Sequence, residues 1–346
     1  MLRATQPLSS KGLTNGNKAM SGKRDTGIDF IKGMLIFGVV YGHLITALTV
    51  GSHCQVWLHT FMRTFDMPFF MLLSGFFFRK SLSRNGLSKV FLNRLTMIFV
   101  PIVFWTVIRG HLNIFGGMYY FLWAVFASGV LCLIAKAMSS YLPERFAFPA
   151  EITLLLLTAF SLHCINSPWN LFYLYPFFAV GYCMPSVPKQ YPQWCEAVIL
   201  FTWVTGLCFW GVKYTPWNVK GMAWRTDGTA LLVYGYRFVL ALLGVHIMWK
   251  IFDGTRRCLG EESWFVKLVT WAGTETLAIY IVHSICLPII KRLVPFVPSW
   301  TLENANIVGY VIAPIMAILI IGVLLPVISV IEKIPVLKYS FGFKAS

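Results

Sequence analysis

The sequence predicts an all-α protein, a polytopic membrane helical bundle of about ten transmembrane helices with both termini cytosolic. Three observations carry that reading. The 346 residues are 57% hydrophobic and only 12% charged, where soluble domains carry about 25% charged residues. Apolar runs of about 20 residues, the length that spans a bilayer, recur along the chain. Lys and Arg also divide unevenly between alternate loops, with 20 on the sides facing the N-terminus and 6 on the opposite sides. The net charge of +16 therefore reads as topology rather than nucleic-acid binding. Membrane lipids are expected partners, and nucleic acid is not.

Taken in order, residues 1–24 are rich in Ser, Gly, Asn and Lys and lack a hydrophobic run, so they read as a basic, disordered cytosolic tail. The apolar run that follows is too long for a cleavable signal. A membrane domain over 25–335 then holds spans at 28–49, 57–79, 91–109, 118–138, 149–165, 169–187, 196–213, 228–250, 268–291 and 305–331. The Ser167–Pro168 turn either separates two of these or breaks one re-entrant element. Residues 336–346 form a second cytosolic tail. The eight cysteines show no CxxC pair and no metal-ligand spacing, and no metal is expected. Cys54 and Cys164 fall at expected outer helix ends, where a disulfide between them is an open pairing.

The first span holds Asp29, Lys32 and His43. Charge inside a membrane span is costly and marks function. Lys32 and His43 are 11 residues apart, three turns plus about 20°, so both point from one face about 16 Å apart. Asp29 shares that side. In the second span Pro68 is expected to kink the helix, and Arg63 can pair with Asp66 at i, i+3. The ninth span brings His283 to the depth of His43, with Tyr280 one turn below it and Glu275 deeper toward the cytosol. Two intramembrane histidines near Asp66 suit proton transfer. No Ser or Cys stands at nucleophile spacing, so proton abstraction from a hydroxyl is the favoured chemistry. Arg79, Lys80, Arg84, Lys89 and Arg94 line one rim, either a phosphate-binding cluster or a plain cytosolic loop. Arg237 is expected mid-membrane with Glu275 or Asp66 as partner. Trp105, Trp123 and Tyr173 are candidates to line a sugar groove.

Several phrases resemble the acyltransferase-3 family of integral-membrane acyltransferases that modify cell-surface carbohydrates. DFIKGMLIFGVVYGH carries the pattern of a basic residue, ten residues, then His. FDMPFFMLLSGFFFRK resembles the second-span phrase, with Asp66 where His is frequent. FLNRLTMIFVPIVFW, YYFLWAVF, PFFAVGY and LAIYIVHSI resemble later spans. The resemblance runs along most of the chain from Arg24 onward.

It implies transfer of an acyl group, usually acetyl, from cytosolic acyl-CoA to a sugar hydroxyl of a surface or exported polysaccharide or its lipid-linked precursor. A bacterial inner-membrane, multi-pass location goes with it. Catalytic candidates are His43 as general base, Asp66 and His283. Donor-binding candidates are Lys32, Arg94, Arg79 and Lys80. Tyr280, Arg63 and Arg237 are candidates to hold the acceptor, with Asp29 and Glu275 as orienting carboxylates. For each histidine the bland alternative is a packed side chain bonded to a carbonyl. Succinyl is the alternative acyl group, and a glycan or solute transporter is the alternative function, although no inverted repeat marks one.

Overall fold

A computed structural model of the chain describes residues 25–49, 56–110, 119–165, 167–184, 191–211, 214, 228–293 and 304–341. Among them every regular element is helical, as an all-α bundle requires. Helix α1 (Thr26–Leu48) begins at Asp25, whose carboxylate accepts from the backbone N–H groups of Gly27 at 3.0 Å and Ile28 at 3.2 Å. That cap satisfies two donors the first turn cannot. Most of α1 is buried, and it is apolar nearly all round, as a helix at the centre of a bundle must be.

Each of the ten expected spans contains helix, and six to seven of them meet the length and apolarity of a membrane crossing among the described residues. Among the described residues six helices are long and apolar enough to cross a membrane: α1, α4 (Leu87–Ile108), α5 (Tyr120–Ser139), α6 (Glu144–Cys164), α9 (Gly228–Leu259) and α12 (Ala305–Ile331). A seventh follows if α10 (Trp264–Thr274) and α11 (Thr276–Leu293), bent by 83°, count as one. Helices α7 (Leu171–Cys183) and α8 (Gln193–Cys208) have 13 and 16 residues. At 1.5 Å per residue both fall short of a core about 30 Å thick. A short helix, α13 (Pro335–Ser340), follows α12.

The expected kink at Pro68 is a break instead. The second span divides into α2 (Trp57–Met62) and α3 (Asp66–Asn85). Pro68 then occupies the first turn of α3, where its missing N–H leaves no bond unmade. Asp66 opens that helix and its Oδ1 accepts from the Met67 N–H at 2.7 Å. Prolines act differently in α4 and α12. Each has a π-helical turn, at Leu95–Phe99 and Val308–Ile312, shortly before Pro101 and Pro314. A proline removes an i→i−4 bond, and the widened turn absorbs the defect. Of the open cysteine pairing, Cys164 is a free thiol and Cys54 lies outside the described residues, as do the tails 1–24 and 342–346.

Glycines draw two helix pairs into backbone contact. A Cβ on Gly33 would lie 2.0 Å from the Val269 carbonyl oxygen, and one on Gly273 1.6 Å from that of Asp29, which joins α1 to α10. On the other side, Gly75 of α3 meets the Phe178 oxygen and Gly181 of α7 meets the Leu72 oxygen, each at 2.0 Å by the same measure. Small residues bring membrane helices together in this way. Gly75→Ala or Gly181→Ala is expected to force α3 and α7 apart and to destabilise by about 1–3 kcal/mol or more. A lowered midpoint of thermal unfolding in detergent would register it, and an unchanged midpoint would refute the close approach.

Candidate active site

Helices α1, α3, α4, α5 and α11 enclose a cavity of about 500 Å³, within the range of small-molecule sites. Lys32, Ile36 and Val39 line it from α1, at the i, i+4, i+7 spacing of one helix face. The polar end holds Lys32, Ser81, Asn93 and Arg94; the rest of the wall is mainly apolar. Lys32 Nζ donates to Asp29 Oδ1 at 2.8 Å, and the Asp29 side chain is buried. The pair places a cation at the cavity wall with its own counter-charge behind it. Arg94 lies over the Phe78 ring at 4.3 Å, and its Nη1 donates to the Val125 carbonyl at 3.2 Å.

One turn beyond Val39 on the same face stands His43. Its ring centroid is 5.2 Å from that of His283, so α1 and α11 do bring the two histidines together. His283 is buried, and its Nδ1 lies 2.9 Å from the Ile279 carbonyl oxygen. A carbonyl only accepts, so Nδ1 carries the proton and Nε2 is left as the acceptor of the neutral ring. Among the described residues that Nε2 meets no hydrogen-bond partner. Tyr280, which lines the cavity, packs edge-on to His283 at 5.6 Å.

Arg63 Nη1 pairs with Asp66 Oδ2 at 2.9 Å, as the i, i+3 spacing predicts. Its Nε also donates to His59 Nε2 at 3.4 Å. The guanidinium packs against Gly42, beside His43, so closely that a Cβ there would lie 2.1 Å from Nη2. Arg63 thus stands between Asp66 and the turn that carries His43.

Other expected site residues go elsewhere. Arg79 donates to the Tyr182 carbonyl at 3.2 Å and Lys80 sits 4.3 Å over the Phe76 ring, and neither lines the cavity. Arg237 is buried over the Tyr173 ring at 4.0 Å and near Trp210 at 5.9 Å. Among the described residues it forms an ion pair with neither Glu275 nor Asp66 and lies against Tyr173 instead. Glu275 falls at the break between α10 and α11 and accepts from the Thr274 hydroxyl at 2.8 Å. Trp105 donates to the Ser340 carbonyl and stacks near Phe341, so it docks α13. Trp123 stacks on Trp169 at 5.0 Å.

Asn93 and Ser81, which also line the cavity, were not among the sequence candidates. Asn93 had a signal, since it precedes Arg94 on a helix that reaches the cavity. Arg109, one of the six cations on the side opposite the N-terminus, donates from Nη1 to Ser284 Oγ at 2.9 Å, beside His283. Buried Glu151 was also missed. It accepts from Lys136 at 3.1 Å and from the Tyr182 hydroxyl, joining α5, α6 and α7.

Comparison with known proteins places these features in a wider set. A family model described as an acyltransferase domain matches residues 25–326. The chain is 28% identical over 302 residues to the nodulation protein NolL of Sinorhizobium fredii (strain NBRC 101917 / NGR234), covering 77% of this chain and 79% of the relative. It is 23% identical over 337 residues to the nodulation protein NolL of Mesorhizobium japonicum (strain LMG 29417 / CECT 9101 / MAFF 303099), covering 86% of each. No solved structure matches the chain.

Proposed function

From the premise that this chain belongs to the acyltransferase-3 family and is an integral-membrane acyltransferase, we propose that it moves an acetyl group from acyl-CoA to a sugar hydroxyl. The acceptor is a surface or exported polysaccharide, or its lipid-linked precursor, and the site of action is the bacterial inner membrane. The observation that carries the reading is the cavity along the Lys32 face of α1, which stops one turn short of the His43–His283 pair.

Lys32 and Arg94, with Asn93 and Ser81 beside them, supply the cations and donors that suit the phosphates of CoA. Arg79 and Lys80 lie off this wall. The pantetheine arm takes the apolar length of the cavity, about 16 Å from Lys32 to His43 along α1. At the histidine end the acceptor's hydroxyl oxygen attacks the thioester carbonyl. His43 takes the hydroxyl proton, the C–O bond forms, the C–S bond breaks, and the proton passes to the departing thiolate. His283, with its proton held on Nδ1 by Ile279, orients the acceptor or relays that proton. Arg63 and Asp66 hold the turn that carries His43.

Membranes with and without the chain, given labelled acetyl-CoA, test the reading. Label appearing as O-acetyl groups on glycan only with the chain supports it. Substrate movement without any acyl transfer would replace it with a transporter. Lys32 gives a second, finer test. Lys32→Ala is expected to raise KM for acetyl-CoA about tenfold, the worth of one hydrogen bond to a charged group. Lys32→Arg keeps the charge and is expected to raise it less. Equal effects from the two substitutions would assign Lys32 to packing.

A further inference from the structure

The histidine end of the cavity is closed by rings. Following the lining residues along their helices, the last ones before the histidines are Val39 of α1, Phe70 of α3, Ile98 of α4, Phe121 of α5 and Tyr280 of α11. Phe70 and Phe121 have ring centroids 5.9 Å apart, and Phe121 and Tyr280 5.8 Å apart. Tyr280 in turn lies 5.6 Å from His283, and His283 5.2 Å from His43. Phe99, the neighbour of Ile98, meets Trp123 at 5.7 Å, which packs α4 against α5 near this end. The opposite end of the cavity holds Lys32, Ser81, Asn93 and Arg94, so its polarity runs from charged to apolar toward the histidines.

We infer that Phe70, Phe121 and Tyr280 form an aromatic stop that sets the size of the acyl group transferred. The inference rests on the acyl-CoA reading above. A donor whose phosphates lie at Lys32 and Arg94 brings its thioester to the histidine end, with the acyl group at the tip. That tip meets the three rings. Apart from the Tyr280 hydroxyl the layer offers apolar surface only. A charged tail such as succinyl would lie there unpaired, at a cost of several kcal/mol. A longer neutral tail would have to displace closely packed rings, of which Phe121 and Tyr280 are 7% and 6% exposed. The stop therefore admits a short, uncharged acyl group.

The experiment compares acetyl-CoA, butyryl-CoA and succinyl-CoA as donors to full-length protein in membranes. Wild-type protein is expected to favour acetyl. Phe121→Ala opens space for two methylenes and is expected to raise the butyryl-to-acetyl ratio of kcat/KM about tenfold or more. Phe70→Ala, on a different helix, is expected to move it in the same direction. It serves as the second variant should Phe121→Ala fail to accumulate in the membrane. Succinyl is expected to remain a poor donor in both. Acetyl transfer with a ratio unmoved by either substitution overturns the aromatic stop and leaves the acyl-CoA reading intact. No transfer from any of the three donors by wild-type protein overturns that reading, and the stop with it.

Discussion

Membranes carrying His43→Ala are expected to transfer acyl groups about 10²–10⁴-fold more slowly than wild type, the range removed with a positioned general base. The expected loss follows from the position of His43. His43 is the next residue, one turn on, from a cavity wall made by Lys32, Ile36 and Val39, and its ring faces His283 at 5.2 Å. His43→Ala removes a partly exposed imidazole and leaves Gly42 and its tight contact with Arg63 in place. Protein should accumulate and insert normally, so the loss belongs to chemistry. His283→Ala separates the two imidazoles. If His283 only orients or relays, its loss costs less than that of His43. A larger loss at His283, with His43→Ala retaining activity, would exchange their roles.

The second large effect is on stability. Asp66→Ala is expected to destabilise by about 3–5 kcal/mol, the cost of leaving one member of a buried ion pair uncompensated. The Arg63 side chain is 12% exposed and that of Asp66 3%, with the two joined at 2.9 Å. Asp66 also accepts the Met67 N–H that opens α3, so its loss removes a helix-start bond as well. Arg63→Ala/Asp66→Ala removes both charges and should recover part of the loss. Thermal unfolding of the single and double variants in detergent measures the coupling, and strictly additive losses would mean the pair contributes nothing. Acyl transfer by the double variant asks a further question. If it persists, Asp66 serves to neutralise Arg63. If it fails in folded protein, the pair holds the His43 turn in place.

Much of this was legible because membranes make polar residues conspicuous. Asp29, Lys32, His43 and His283 stand out against apolar runs, and helical spacing alone puts Lys32 and His43 on one face. Breaks are harder to read. Pro68 in an apolar run looks like a kink, and only the turn at Arg63–Phe65, with Asp66 opening the next helix, turns it into a helix start. The 83° bend between Thr274 and Thr276 has no proline or glycine at its apex. The rim cations share one composition, yet Arg94 enters the cavity while Arg79 and Lys80 turn to Tyr182 and Phe76. That sorting depends on helix rotation, which charge counts do not contain. Phe70 and Phe121 carried no signal, because a ring that bounds a cavity and a ring that fills a core are the same letter.

The glycine contacts have a mechanical consequence. Helices α1 and α3, two walls of the cavity, are each pinned to a neighbour at backbone distance, α1 to α10 and α3 to α7. Helix α4 is held differently. Only 17% of its apolar window is buried, against 67% for α1, and it contains a π-helical turn just after Arg94. A chamber with two stiff sides and one side pressed by lipid yields on the lipid side. Bilayer thickness and lateral pressure thus bear first on the helix that carries Arg94, which makes the lipid annulus a mechanical component of this cavity.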